Sequence, residues 1–318
     1  MNNQEVSISG DGEGNSKPNM KTEKDQIDIS PYFDMKKKRS VFEGAECFSD
    51  RGFNVDDDEV NRRAGHVAVC HAGRVLVWGG YTSGPIDAHW DHGRHRYWRT
   101  DWFMVLDPVT STWKGLRTDS ENCPPLTSGA TAVVIGDTFY VFCGFAIHFP
   151  EEYVLPTINY NVKEGSHPLL IDISSAVAEG NTNEAYSCDL SARPCPKWKK
   201  LNSSSIGTLP LPCDKLSSFV YKYKVYLLGG YGPQPEPDIH LKLPHTTSWI
   251  MDPGPGNEYE RIGRGWNNQL VIYDPYTNAY TWPKIRGKIP SPRAAHAMAV
   301  DTTAEIAYLF GGMSFVFL

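Results

Sequence analysis

The sequence predicts an all-β fold in which small antiparallel sheets repeat along the chain. The 318 residues include 9 Trp, 16 Tyr and 13 Phe, together with 28 Gly and 23 Pro. Aromatic residues favour strands, and Gly and Pro favour the turns between strands. A short apolar segment that ends in a glycine pair also recurs along the chain, which is typical of a repeat protein.

Each repeat opens with a strand of small residues, followed by a turn and an apolar strand that closes on two glycines or their equivalents. These pairs are Gly79-Gly80, Cys143-Gly144, Gly229-Gly230 and Gly311-Gly312. The downstream half holds a strand, a polar turn and a strand that carries Trp113, Trp198 or Trp282. Four such strands cannot cover both of their faces, so neighbouring sheets must stack as the blades of a β-propeller do. We expect the glycines where strands crowd together and the tryptophans between blades.

The repeats predict about three full blades, at roughly 63–118, 128–202 and 214–286, and half of a fourth. Because a propeller closes with about four blades or more, this pattern predicts an incomplete one. Two insertions interrupt the repeats: 145–180, which we expect to form one long loop or an appendage, and the Pro-rich 232–262. Insertions of this kind project from one face of a propeller, where ligand surfaces are built.

Composition divides the chain into a polar, disordered tail at 1–40, a lead-in segment at 41–61 and the propeller at 62–318. We find neither the apolar core of a signal peptide nor an apolar run of about 18 residues. The seven cysteines contain no CxxC spacing. These features predict a protein of the cytoplasm or nucleus, with reduced thiols and no membrane contact. The net charge of −6 argues against nucleic acid as a partner.

Three short motifs narrow the choice of family: Asp214-Lys215-Leu, Gly229-Gly-Tyr231-Gly and Arg264-Gly-Trp266-Asn. With the repeats, they make the chain resemble the kelch-domain substrate receptors of cullin-RING ubiquitin ligases, which read C-terminal degrons, especially those that end in Gly-Gly. The resemblance runs from about residue 62 to 312 and leaves the 145–180 insertion outside it. It implies a kelch β-propeller, which is six-bladed in that family.

In that family a central pocket grips the terminal carboxylate of a peptide. The resemblance places Lys215, Tyr231, Arg264 and Trp266 in such a pocket, with Lys215 as the cation and Tyr231 and Trp266 as wall and hydrogen-bond donors. A carboxylate that leaves water needs a cation and fixed donors. An aromatic wall suits a Gly-Gly tail, which has no Cβ to clash. The implied partners are therefore protein or peptide C-termini.

The chain departs from the family in three places. Met313 stands where the family has an arginine after the fourth glycine pair, and a second arginine and a serine of later blades have no counterpart. The C-terminal helical box that docks the cullin adaptor has none either, so we do not expect this chain to recruit a ligase. The resulting interpretation is a peptide-binding module that resembles a degron receptor and is impaired by truncation. The alternative is a general kelch scaffold that binds a folded partner through its loops.

A metal site and an enzyme active site are further alternatives. His89, His92 and His95 lie three residues apart in one segment. A zinc site needs three or four ligands in fixed geometry, and a polar, histidine-rich loop explains the pattern better. The sequence contains no nucleophile elbow, zinc-protease or phosphate-loop motif. We therefore predict neither metal nor other cofactor, and no enzymatic activity.

Overall fold

The computed structural model describes residues 63–83, 95–150, 153, 169–173, 175–253 and 263–314. The predicted tail at 1–40, the lead-in segment at 41–61 and two of the three histidines, His89 and His92, lie outside these residues. The all-β prediction is confirmed, because nearly all regular structure in the described residues is strand. None of the described residues forms a helix long and apolar enough to span a membrane.

Most strands of the described residues are short, and four longer ones of 10 to 12 residues lie at the centre of the sheets. In chain order they are β1 (Val67–His71), β2 (Arg74–Trp78), β3 (Tyr81–Ser83), β4 (His95–Trp98), β5 (Trp102–Asp107), β6 (Thr112–Arg117), β7 (Leu126–Ser128), β8 (Thr131–Ile135), β9 (Thr138–His148), β10 (Leu170–Asp172), β11 (Ala178–Asp189), β12 (Lys197–Lys200), β13 (Ser217–Tyr221), β14 (Lys224–Pro233), β15 (Trp249–Met251), β16 (Arg264–Asp274), β17 (Ala279–Thr281), β18 (Ala297–Asp301) and β19 (Ile306–Phe310). The short α-helix α1 (Pro237–His240) and a 3-10 turn (Asn202–Ser204) complete the described elements.

These strands form a series of antiparallel sheets that follow the repeats. Sheet I has the order β1-β2-β5-β6, sheet II contains β8, β9, β11 and β12, and sheet III contains β13, β14, β16 and β17. The hairpin β18–β19 forms sheet IV. β7 and β15 pair with the extended ends of β9 and β16, and β3, β4 and β10 form a separate small sheet. The sheets fall within the ranges predicted for the three blades and the half blade, whereas the blade number of a closed propeller stays a prediction.

The residues in the turns determine where the chain reverses between neighbouring strands of a sheet. The β1–β2 hairpin turns through Ala72 and Gly73, and both have positive φ, of 48° and 74°. Two positive φ values at a two-residue turn match the right-handed twist of the flanking strands. An aspartate then accepts a backbone N–H two residues ahead and starts the turn between the third and fourth strands. Asp107 does so in sheet I and Asp274 in sheet III, with N···O distances of 2.9 and 3.0 Å.

Aromatic side chains fill the space between sheets I and II. Trp198 of β12 stacks on Phe103 of β5 with 5.8 Å between ring centroids, and it lies 5.8 Å from Trp78 of β2. Phe139 meets the Trp198 ring edge-on at 6.0 Å. The predicted position of a repeat tryptophan between two blades is confirmed for Trp198. This cluster buries large rings that a single sheet would leave exposed.

Backbone hydrogen bonds join each sheet to the next beside the first strands. Gly129 N donates to Gly65 O at 2.7 Å, Lys215 N to Gly129 O at 2.7 Å, and Ala295 N to Lys215 O at 2.8 Å. These four residues occupy equivalent repeat positions, and all have positive φ, between 54° and 65°. We call them the axial chain. The inner strands of successive sheets therefore lie side by side, as in consecutive blades of a β-propeller.

The glycine pairs lie where this approach is closest. A Cβ on Gly229 would be 2.6 Å from Arg293 O, and one on Gly230 would be 2.5 Å from Cys213 Sγ. The N–H of Gly230 donates to that same Arg293 carbonyl at 2.9 Å. The prediction that no side chain fits is confirmed at Gly229 and Gly230, since contacts under 3 Å require the surrounding atoms to move. It is wrong at Gly311, where a Cβ would meet no atom within 4 Å, and at the equivalent position Cys143, whose side chain is buried.

The insertion at 145–180 does not form one long loop, contrary to the sequence prediction. β9 continues to His148, and β11 begins at Ala178 and pairs with it. β10 pairs with β4, the strand that precedes β5 of sheet I in the chain. Leu169 beside it is only 2% exposed, among Trp98 and Trp102. The insertion also contributes to the core because its apolar residues meet an otherwise open edge.

The insertion at 232–262 likewise contains regular structure. β14 runs into it as far as Pro233, α1 occupies Pro237–His240, and β15 pairs with the start of β16. The proline content of this segment did not reveal the strand, because only the register with β16 shows it.

We predict that Leu169→Ala lowers the free energy of unfolding by about 2–4 kcal/mol, because it removes a buried side chain from the core. Urea unfolding measures the change. Leu241→Ala, at an 85% exposed leucine, is the control and should change stability by less than about 0.5 kcal/mol. Equal small effects for both variants would contradict the assignment of this insertion to the core.

A buried histidine makes stability depend on pH. The His296 ring packs under Gly229 and the side chain is 6% exposed. Burial, with a smaller contribution from the positive charge of Arg293, lowers the pKa of His296 from 6.5 to about 4. The unfolded chain therefore binds one more proton than the folded chain between these two pH values.

We predict that the free energy of unfolding falls by about 1–3 kcal/mol through this histidine as pH decreases from 6.5 to 4, and does not change through it above pH 6.5. Urea unfolding of the wild type and of His296→Gln across this range measures the effect. The wild-type stability should fall more steeply than that of the variant. Parallel curves would contradict the prediction.

Candidate functional site

The candidate site lies where the chain leaves the glycine pair of sheet III. Tyr231 follows Gly230 directly on the extended end of β14. The other sheets place Tyr81, Phe145 and Met313 at the equivalent positions. Met313 exchanges two backbone hydrogen bonds with Ala294, as Tyr231 does with Asp214, so the repeat geometry is the same at both.

Local pairing brings the four sequence-predicted residues together. Asp214 exchanges backbone hydrogen bonds of 2.8 and 2.9 Å with Tyr231, which places the next residue, Lys215, beside that ring. On the other side, Trp266 of β16 is the register partner of Tyr231, and Arg264 is opposite Pro233. Lys215, Tyr231, Arg264 and Trp266 thus converge from three chain segments. We call these four residues the Tyr231 cluster.

Lys215 is held between an anion and an aromatic ring. Its Nζ lies 2.7 Å from Asp214 Oδ2 and 5.5 Å from the centroid of the Tyr231 ring. The lysine side chain is about half exposed, whereas that of Asp214 is buried. Lys215 also has a φ of 56°, at a repeat position where two of the other three sheets have glycine. A lysine in this conformation carries backbone strain of about 1–2 kcal/mol.

Arg264 forms the second cation of the cluster. Its guanidinium carbon lies 5.0 Å from the Tyr231 ring centroid and 5.6 Å from that of Phe145 on sheet II. Its Nη2 donates to Asn181 Oδ1 at 2.6 Å. Asn181 Nδ2 in turn donates to the Tyr231 carbonyl at 3.3 Å. The arginine is therefore oriented by two neighbouring sheets at once.

Tyr231 and Trp266 form the aromatic part of the cluster. Their ring centroids are 5.5 Å apart with the planes at 61°, an edge-to-face arrangement. The Tyr231 hydroxyl donates to Asp252 Oδ2 at 3.0 Å. Trp266 is 9% exposed, and its Nε1 has no hydrogen-bond partner among the described residues. A buried N–H without a partner costs about 1–3 kcal/mol, so it is a position at which an acceptor would stabilise the protein.

Carboxylates balance the two cations. Asp214 is 5% exposed, and its second oxygen, Oδ1, also has no partner among the described residues. Burial raises the pKa of the nearby Tyr97, and the negative charges of Glu179 and Asp214 raise it further. The site therefore combines cations that attract a carboxylate with acceptors that suit N–H groups.

Sequence reasoning missed several members of this site. Asp214 stood in a recognised motif, but its contact with Lys215 was not predicted. Phe145 could have been found from the repeat, since it follows its glycine pair as Tyr231 does. Asn181 and Asp252 carry no signal of this kind, because the first directly follows one insertion and the second lies within the other, and the repeat does not predict the course of either.

We predict that Lys215→Gly is more stable than Lys215→Ala by about 1 kcal/mol. Both variants lose the ammonium group and leave Asp214 without its cation, so the difference between them reports the backbone alone. Glycine adopts a positive φ without the steric penalty that alanine retains. Urea unfolding of the two variants provides the measurement, and an alanine variant of equal or greater stability would contradict it.

Comparisons with known proteins identify relatives of this chain. Kelch domain-containing protein 2 of Rattus norvegicus is 31% identical over 253 residues, and that of Homo sapiens is 30% identical over 253 residues. Kelch domain-containing protein 1 of Mus musculus is 28% identical over 253 residues. Each alignment covers 79% of this chain and 50% of the relative, so the chain spans about half the length of the curated relatives it matches.

Comparison with family models gives no match, and comparison with solved structures gives a weak likeness. Among solved structures, one titled "Structure of YjhT" is similar over 74% of this chain and 55% of that chain, with 13% identity and a TM-score of 0.40. A likeness of this strength carries no argument about function.

Proposed function

Since the chain is a kelch-repeat protein with kelch domain-containing relatives, we propose that it binds protein or peptide C-termini that end in Gly-Gly through the Tyr231 cluster. The observation that carries the proposal is the convergence of two cations and two aromatic rings from three chain segments. A kelch protein-interaction module is the broader function, and C-terminus recognition is the specific form that we propose.

The terminal carboxylate would bind between Lys215 and Arg264. Each cation lies within 5.5 Å of the Tyr231 centroid, so we propose that both contact one anion bound beside that ring. Charge-assisted hydrogen bonds of this kind contribute about 1.5–3 kcal/mol each. Because Lys215 already contacts Asp214, the incoming carboxylate competes with that residue for the ammonium group. The affinity therefore depends on how the two anions share the lysine.

The Gly-Gly tail would lie against the aromatic rings. Tyr231 and Phe145 both lie near Arg264, which places two aromatic rings beside the guanidinium. Peptide N–H groups of the tail would donate to the Asp214 carboxylate, whose buried Oδ1 has no partner among the described residues. A tail without Cβ atoms can approach these rings and the backbone most closely.

Met313 limits the affinity that we expect. It occupies the position of Tyr231 in sheet IV and is 57% exposed, so it presents a thioether where the receptors that this chain resembles have an arginine. We propose that the binding is weaker than in a pocket with a third cation. We propose the cytoplasm or nucleus as the compartment.

Kelch-domain proteins are typically non-enzymatic binding modules, and we propose the same for this chain, without a cofactor or metal. Among the described residues, no group of three or more His, Cys, Asp or Glu side chains is placed to hold a metal ion. His89 and His92 lie outside the described residues, so the three-histidine hypothesis is left to direct metal analysis.

We predict that a peptide ending in a free Gly-Gly carboxylate raises the free energy of unfolding by about 2.7 kcal/mol at a concentration of about 100 times its Kd. The amidated peptide should have no effect, because it lacks the anion. Lys215→Glu should abolish the stabilisation, since it replaces the cation with an anion. Thermal melts of the full chain measure both effects.

Lys197→Glu is the matched control for this charge reversal. Lys197 is exposed on β12, away from the cluster, so this variant should retain the response to the peptide. Equal stabilisation by the free and amidated peptides, or an unchanged response of Lys215→Glu, would contradict carboxylate recognition. The absence of a cooperative transition in the wild type would contradict a working site.

The alternative is a scaffold that binds a folded partner through its insertions. Leu241 and Met251 of the 232–262 insertion are 85% and 55% exposed, and large exposed apolar side chains favour protein contacts. Affinity capture separates the two functions. A partner whose capture is lost with Leu241→Asp and retained with Lys215→Glu would support the scaffold and argue against C-terminus recognition.

A further inference from the structure

A second surface, away from the Tyr231 cluster, carries an excess of positive charge. Two adjoining open cavities, of about 690 and 550 Å³, lie between residues 242–248 and the segment that connects sheet III to sheet IV. His245, Thr246 and Ile285 line both cavities, so they form one continuous groove. We call it the basic groove. Each of the two cavity volumes is within the range of about 300–1,000 Å³ that is typical of ligand sites.

The charge of the groove has one sign. Lys242, Lys284, Arg286 and His245 line the larger cavity, and no described lining residue of either cavity is acidic. Lys242 also lies 3.8 Å from Asp238, in a contact between two exposed side chains. A pair of this kind contributes little and leaves the ammonium available. In a chain with a net charge of −6, this concentration of cations is a local reversal of the overall charge.

Apolar side chains lie between these cations. Trp282 lines the groove, and its indole N–H donates to Thr208 O at 2.9 Å, which holds the ring in place. Leu243 and Ile285 line the groove beside it. Aromatic and aliphatic side chains at the centre of a charged surface are typical of sites that bind protein segments.

We propose that the basic groove binds an acidic segment of a partner protein, with carboxylates facing the cations and an apolar side chain against Trp282. Nucleic acid fits the groove less well. Affinity for nucleic acid comes mainly from many phosphate contacts, whereas four basic residues line the described groove, and the net charge of the chain opposes a long polyanion. The groove and the Tyr231 cluster then bind different chemical groups.

The test uses the full chain and a short fluorescent peptide of Glu, Leu and Phe that is blocked at both ends. The amide end prevents binding to the Tyr231 cluster as a C-terminus, so the two proposals can fail separately. Fluorescence anisotropy should show saturable binding that weakens as salt increases to about 0.15 M, where the Debye length is about 8 Å. The same peptide with Gln in place of Glu should not bind.

Lys284→Glu/Arg286→Glu should weaken binding of the Glu peptide by about tenfold or more, because two cations of the groove become anions. Lys197→Glu/Lys199→Glu makes the same charge change at exposed positions on β12 and should change affinity by less than about twofold. Melts without peptide check that both variants fold. Equal losses in both variants, no binding to the wild type, or tighter binding of single-stranded DNA than of the peptide would each overturn the proposal.

Discussion

The axial chain of backbone hydrogen bonds is the constraint on which the site depends. It links Gly65, Gly129, Lys215 and Ala295 in series, one residue from each sheet. Each link is short, and each requires a positive φ at the same repeat position. One sheet cannot slide past the next without losing these bonds, each of which contributes about 0.5–1.5 kcal/mol. The position at which Tyr231 leaves its glycine pair is therefore determined by contacts between sheets.

Lys215 links this backbone constraint to the chemistry of the site. Its N–H and C=O belong to the axial chain, while its side chain belongs to the Tyr231 cluster. Glycine would satisfy the backbone requirement with less strain, as it does at Gly65 and Gly129. Backbone strain of this kind is concentrated at functional positions, where the side chain provides something that glycine cannot. At Lys215 this is a cation held beside an aromatic ring and a buried carboxylate.

The two proposed surfaces attract anions in different ways. In the Tyr231 cluster, Asp214 and Asp252 already contact the lysine and the tyrosine hydroxyl, so a ligand must replace or share existing contacts. Such a site selects ligands by their geometry. An anion that leaves water but does not reach the cations loses its hydration without gaining an attraction that offsets the loss. The basic groove has no described acidic lining residue and is open to solvent. Its attraction is screened by salt and depends less on the exact shape of the ligand.

The sequence by itself determined the all-β class, the ranges of the sheets, and the glycine pair and Trp198 as packing residues, because these properties repeat with the chain. It also indicated the four residues of the Tyr231 cluster, through the family resemblance that short motifs carry. Only the tertiary structure placed Asn181 and Asp252 around the cluster and paired β10 with β4. It also brought the walls of the basic groove together. Those contacts join segments from different repeats and insertions, and their distances depend on how whole sheets pack, which no local pattern of residues specifies.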